Sequence, residues 1–254
     1  MNMSGSLCAA TENKVGVVLI HGKWGNPSQF NSLAKLMKNK GYKVLTPLMP
    51  WSKVRGYDVD YSAALEIVTG NIEELRKNGS TVIVLAGHSK GANAAIAYAA
   101  YGREKIDAVI AIAPGHMPEI ARYQECIQSS LNKAKEMIDS GSGDKRALFT
   151  HRNNGRYADI TMTAATYFSY YDPEGMGSMP LSTLKITPGI PLIWILAGAT
   201  DVLYDKGRDY VFEKWPQHPL NKYLVLNSNH MEAPVDAKDE VLRWIEALPK
   251  PVQP

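Results

Sequence analysis

Six short runs of apolar residues, continuous rather than alternating, punctuate this chain. They are VGVVLI (15–20), YKVLTP (42–47), TVIVLA (81–86), IDAVIAIA (106–113), PLIWILAG (191–198) and KYLVLN (222–227). A strand that is apolar throughout has no face to turn to water, so it belongs inside a sheet covered on both sides. Between the runs, PSQFNSLAKLMKNKG (27–41) places Phe30, Leu33, Leu36 and Met37 on one helical face and stops at Gly41. Helices are also expected over about 61–77, 91–102 and 235–248. This alternation predicts a mostly parallel sheet of about six strands with helices on both faces, in one α/β domain spanning 1–254.

The rhythm breaks between about 114 and 189. PEIARYQECIQSSLNKAKEMID (118–139) carries a helical stripe of Ile120, Ile127, Leu131, Ala134 and Ile138. A polar, basic stretch follows (141–159), then ITMTAATYFSYYDPEG (160–175), expected as a short aromatic helix ending near Pro173. An insertion of this length after a strand reads as a mostly helical lid.

The chemistry concentrates at Gly87-His88-Ser89-Lys90-Gly91. A buried strand precedes this G-x-S-x-G pattern and a helix follows it, the context in which such a serine is a nucleophile on a sharp strand-to-helix turn. The bland alternative is a serine that merely caps the helix. A serine needs a base to take its proton. His230 stands after the last strand and before the last helix, ahead of His21, His88, His116, His151 and His218 as a candidate. A carboxylate must then orient the base. Asp201 and Asp205 both follow the strand at 191–198, and Asp201 is nearer its end. The oxyanion of an acyl transfer needs two backbone N–H donors. Lys90, after the nucleophile, offers one. The HGKWG loop (21–25) offers the other, with Lys23 preferred to Trp24.

In this combination the chain resembles the α/β-hydrolase superfamily, through His21-Gly22, the Gly87–Gly91 elbow, Asp201 and His230 in that order. PLMPWSKVRGYD and APGHMPE also resemble stretches of uncharacterised bacterial hydrolase-like proteins. The resemblance implies a Ser-His-Asp triad without metal or cofactor. It also implies a reduced sheet, since about 14 residues before the first strand leave no room for the family's two N-terminal strands. The reaction it implies is cleavage of an ester or thioester through an acyl-enzyme. A slow or non-hydrolytic ligand-binding protein, an amidase, a lyase or a C–C hydrolase could use the same residues.

Ligands sit outside the C-terminal ends of parallel strands. Trp24, Trp51, Arg55, His116, Tyr167 and Tyr171 are therefore candidate pocket walls. Lys90 has two readings: a solvated side chain lying along its helix, or part of a positive rim with Lys23, Arg55, Arg146, Arg152 and Arg156 that favours an anionic acyl substrate.

A net charge of +3, from 28 basic and 25 acidic residues, is too balanced to argue for nucleic acid, and no such partner is expected. The two cysteines, Cys8 and Cys126, form no metal or disulfide framework. No apolar run reaches the roughly 18 residues of a membrane span. MNMSGSLCAATENK carries no export signal, which reads as cytoplasmic unless such a signal has been removed. Oligomeric state has no signature here.

Overall fold

The structure is a computed structural model that describes residues 14–153 and 156–249. The expectations placed on the first residues, Cys8, the export signal and the two absent strands among them, lie outside the described residues.

Six strands form one parallel sheet: β1 (Val15–Ile20), β2 (Lys43–Leu45), β3 (Val82–His88), β4 (Ala108–Ile112), and two later strands, Leu192–Leu196 and Lys222–Val225. Connecting helices are α1 (Asn31–Asn39), α2 (Tyr61–Lys77) and α3 (Lys90–Tyr101). The insertion adds α4 (Ala121–Asp139), an antiparallel pair β5 (Arg146–Asn153) and β6 (Arg156–Thr163), then α5 (Ala164–Tyr171) and α6 (Met179–Thr183). The two later strands of the main sheet are β7 and β8, and α7 (Ala233–Asp236) with α8 (Lys238–Glu246) end the described fold. Strand order is β2-β1-β3-β4-β7-β8. The chain moves outward from β1 to β2 and then returns to β3, which opens a crevice at the C-terminal ends of β1 and β3.

Continuous apolar strands are explained by a core on each face. Val18, Ile20, Ile83, Leu85, Val109 and Trp194 point into one, under α2 and α3. Their neighbours Val17, Leu19, Val84, Ile110, Ile193 and Ile195 point into the other, against α1 and α8. Side chains alternate along a strand, so covering both faces demands apolar residues at every position. Among the described residues, no helix is long and apolar enough to cross a membrane.

The insertion differs from expectation. The polar, basic stretch, given no element in the sequence, holds most of the β5–β6 pair, and the aromatic helix begins at Ala164, with 160–163 belonging to β6. Along β5 and β6 the buried residues are Phe149, His151, Ile160 and Met162, spaced by two. That alternation, around the hairpin-favouring dipeptide Asn154-Gly155 in the sequence, is a strand signal hidden by the basic composition. So the insertion keeps its expected helices and adds an antiparallel strand pair to them.

Candidate functional site

Five described non-glycine residues have positive φ: Trp24, Tyr57, Ser89, Ala113 and His116. All five follow the C-terminal ends of β1 to β4. Backbone strain of this kind persists only where surrounding structure enforces it, and it gathers at functional sites.

Ser89 has φ 53° and ψ −118°, squeezed between β3 and α3. Its N–H donates to Ile112 O at 3.1 Å, and its carbonyl accepts from Gly115 N at 3.1 Å. The flanking glycines are sterically required. A Cβ on Gly87 would lie 2.1 Å from Gly91 O, and one on Gly91 would lie 1.8 Å from Ile20 O. Gly115 is the third small residue: a Cβ there would sit 2.8 Å from Ser89 Oγ.

A cleft of about 720 Å³ opens over this serine. Ser89, Gly115, His116, Asp201 and His230 line its floor side. Met117, Ile120, Arg122 and Tyr123, together with Arg152 and Asn153 of β5, bring the insertion to its wall. Ser89, His230 and Asp201 thus share one cavity although they come from three separate segments. Among the described residues no hydrogen bond joins their side chains; such bonds commonly tighten only in the substrate complex.

Burial lowers the pKa of His230, and the Asp201 charge opposes that shift. Asp201 is itself anchored, Oδ2 accepting from Ala197 N at 3.0 Å and Oδ1 from Leu203 N at 2.9 Å. Asp205 lines the same cleft but is exposed.

The position of His230 rests on a directional relay. Gly22 N–H donates to Gln29 Oε1 at 2.9 Å, which fixes that amide so that Nε2 faces His88 Nδ1 at 2.7 Å. His88 Nδ1 is therefore an acceptor, and its Nε2–H donates to the backbone oxygen of His230 at 2.7 Å. Burial, reinforced by the charge of His230, holds His88 neutral with a pKa of about 3, against the opposing pull of that backbone bond. Sequence reading missed both Gln29 and this role of His88. The only hint was a histidine inside the elbow.

Two amides near Ser89 are free. Among the described residues neither Lys23 N–H nor Lys90 N–H has an acceptor. Trp24 N–H is spent on Trp51 O at 2.9 Å.

The lysine side chains go elsewhere. Lys90 is 1% exposed, so it is neither the solvated cation nor the rim cation of the sequence readings. Its Nζ donates to Asn93 Oδ1 at 3.1 Å and lies 4.0 Å from the centroid of Tyr61 and 5.0 Å from that of Tyr170. Asn93 is pinned in turn, its Nδ2 donating to His116 O and Gly177 O. Burial above all, then the nearby Lys23 charge, drives the Lys90 pKa well down, while Glu119 opposes them. Burial also raises the Glu119 carboxyl to about 7. Lys23 Nζ lies 2.6 Å from His151 Nδ1, 3.2 Å from Arg152 O and 3.0 Å from Tyr171 Oη, and desolvation lowers its pKa to about 7.

No family model and no curated protein matches the sequence. Solved structures do match the fold. A monoacylglycerol lipase from Paleococcus ferrophilus aligns with a TM-score of 0.62 at 19% identity, covering 91% of this chain and 93% of that one. A soluble variant of monoglyceride lipase from Saccharomyces cerevisiae gives 0.66 at 14% identity, covering 94% and 89%. A thioesterase domain from the curacin biosynthetic pathway gives 0.57 at 17% identity, covering 92% and 91%.

The chain has the α/β-hydrolase fold. Within that fold several of the sequence-level pocket candidates take other places. His116 lines the cleft, with Nε2 2.6 Å from Tyr170 O and a buried Nδ1 that has no partner. Trp51, Tyr167 and Tyr171 are fully buried and lie outside the cleft lining. Trp24 packs edge-on against Tyr57 and His151, also behind the wall. Arg55 is bound to Asp58 at 3.0 Å and to Leu48 O at 3.0 Å, away from the cleft. Trp24 and Trp51 follow strand ends as expected but are packed against His151 and Tyr170 of the insertion, whereas Tyr167 and Tyr171 belong to the insertion itself and turn into the core. Of the expected basic rim, Lys23, Arg152 and the buried Lys90 line the cleft, whereas Arg55, Arg146 and Arg156 do not. Arg122 and Lys206, which the sequence did not single out, take their place.

Proposed function

We propose that this protein is a serine hydrolase that cleaves a small-molecule ester or thioester through an acyl-enzyme. The observation that carries the proposal is Ser89, held at φ 53° on a glycine-flanked elbow in one cleft with His230 and Asp201. In this reading Ser89 Oγ attacks the carbonyl carbon while His230 takes its proton. Asp201 orients the imidazole and stabilises the imidazolium. The unbonded amides of Lys23 and Lys90 hold the oxyanion. Collapse of the tetrahedral intermediate expels the alcohol or thiol, which receives the proton from His230. Water, deprotonated by the same histidine, then releases the acid and regenerates Ser89.

The ester chemistry is supported by the lipase and thioesterase activities named for structural neighbours. The segment 114–189 serves as the lid in this reading, because Met117, Ile120, Tyr123 and Arg152 form the cleft wall above the serine.

A fluorophosphonate probe tests the nucleophile directly. It is expected to label the wild-type protein at Ser89 and to leave Ser89→Ala unlabelled. Ester turnover by Ser89→Ala is expected to fall by about 10⁴ or more. Wild-type-like turnover by that variant would remove the mechanism.

A further inference from the structure

The cleft mouth carries a charge arrangement that the acyl-transfer chemistry does not use. Arg122 of α4, Arg152 of β5 and Lys206, from the segment after β7, line the same cavity as Ser89 and His230. Among the described residues none of the three has a carboxylate within ion-pair distance. Elsewhere the surface pairs its cations freely, as in Lys40–Glu246, Arg103–Glu73, Lys135–Asp139 and Lys222–Glu240. Carboxylates are thus plentiful on this protein, yet the cleft lining includes only Asp201 and Asp205. Asp201 spends both oxygens on backbone amides beside His230.

Both arginines neighbour Tyr157. Both act on the Tyr157 hydroxyl, whose pKa is raised first by its bond to Cys126 and drawn back by Arg152 and Arg122. The Arg152 guanidinium lies 5.9 Å from the Tyr157 ring centroid, and the Tyr157 hydroxyl is 2.6 Å from Cys126 Sγ, one turn along α4 from Arg122. Arginines that line one cleft without a carboxylate partner favour an anion there. Guanidinium is suited to that task, since its planar fork binds carboxylate or phosphate oxygens in pairs. Lys23 also lines the cleft, but desolvation lowers its pKa to about 7 and its donors are already engaged by His151, Arg152 and Tyr171.

We infer that Arg122, Arg152 and Lys206 form a recognition site for an anionic group, carboxylate or phosphate, on the ester that Ser89 cleaves. The inference rests on the serine-hydrolase reading for the reaction but not for the binding. The anion sits at the mouth, and the ester carbonyl reaches inward to Ser89. The two sources of charge differ in where it is attached: a carboxylate on the acyl chain, or a phosphate on the leaving alcohol.

Two matched substrate pairs separate them. One compares p-nitrophenyl butyrate with mono-p-nitrophenyl succinate. The other compares 1-butyrylglycerol with its 3-phosphate. In at least one pair the anionic member is expected to have the higher kcat/KM at low salt. The anionic-to-neutral ratio is expected to fall about fivefold to tenfold in Arg122→Gln/Arg152→Gln. The same ratio should shrink in the wild type as salt is raised, because the mouth is open to solvent. Preference for the neutral ester in both pairs, or a ratio unchanged in the double variant, would overturn the inference while leaving the hydrolase intact. If no ester is turned over and the fluorophosphonate does not react, the hydrolase reading fails. The anion site is then judged by titrating succinate and inorganic phosphate calorimetrically into the wild-type protein. Binding that the double variant loses supports the site, and absence of binding overturns it.

Discussion

A hydroxyl, an imidazole and a carboxylate perform different chemistry according to how each is held, and at the residue scale the holding is unequal here. Asp201 has both oxygens anchored to backbone amides and raises the pKa of His230, against the stronger lowering by burial. Asp205 is exposed and exerts no such effect on His230. Asp201→Asn is therefore expected to lose about 10²-fold to 10⁴-fold in kcat/KM, and Asp205→Asn little, in parallel ester assays. The reverse order would make Asp205 the acid. The pH profile gives an independent check. A general base must be neutral, so kcat/KM should fall as pH drops through the His230 pKa, which lies below the ordinary histidine value of 6.5. Removing the Asp201 charge lowers that pKa further, so the residual activity of Asp201→Asn should keep its acid limb at still lower pH. An acid limb that moves upward would contradict the pairing.

At the element scale, the elbow works because strand, turn and helix are packed to contact. Gly91 is in the first turn of α3 with Ile20 O where its Cβ would be. Gly91→Ala must push β1 and α3 apart, and it is expected to cost about 3 kcal/mol or more. Gly70, inside α2, has open space around the position of a Cβ. Gly70→Ala is expected to stabilise by about 0.5–1 kcal/mol through helix propensity. Urea midpoints of the two variants should move in opposite directions. A Gly91→Ala protein as stable and active as wild type would show that the strand-to-helix contact is not tight.

For the whole molecule, the buried histidines set the response to acid. His88 is held at about 3 and His151 at about 4, and His116 is held well below 6.5, in each case chiefly by burial. In the unfolded chain each titrates near 6.5. Below that value the unfolded chain takes up protons at these sites that the folded chain refuses, so their contribution to stability is full above pH about 6.5 and declines as pH falls. The slope is about 1.4 kcal/mol per pH unit for each group, or about 4 kcal/mol per unit for the three together. Urea unfolding at pH about 7 and about 5 measures it. A midpoint unchanged between them would mean that these histidines are charged in the folded protein.

What the sequence determined by itself is what local pattern and short spacing encode. Continuous apolar runs required a two-faced parallel sheet, and α2, expected over about 61–77, was legible from its helical period. That Ser89, Asp201 and His230 share one cleft was legible because each comes shortly after the C-terminal end of a strand, and strand ends meet on one edge whatever lies between them. Tertiary structure alone decided the rest. Trp51, Tyr167 and Tyr171 look like pocket walls in sequence; Trp51 becomes core once the insertion folds over it, and Tyr167 and Tyr171 of the insertion itself turn into that core. Lys90 looks like a surface cation, yet three aromatic rings from distant segments enclose it. Arg122 and Arg152 stand 30 positions apart with no pattern linking them, and only the packing of β5 and β6 on α4 brings both to the cleft. The physical reason is that burial and charge proximity are set by which surfaces meet. A sequence gives the periodicity of each surface but not the partner it will meet.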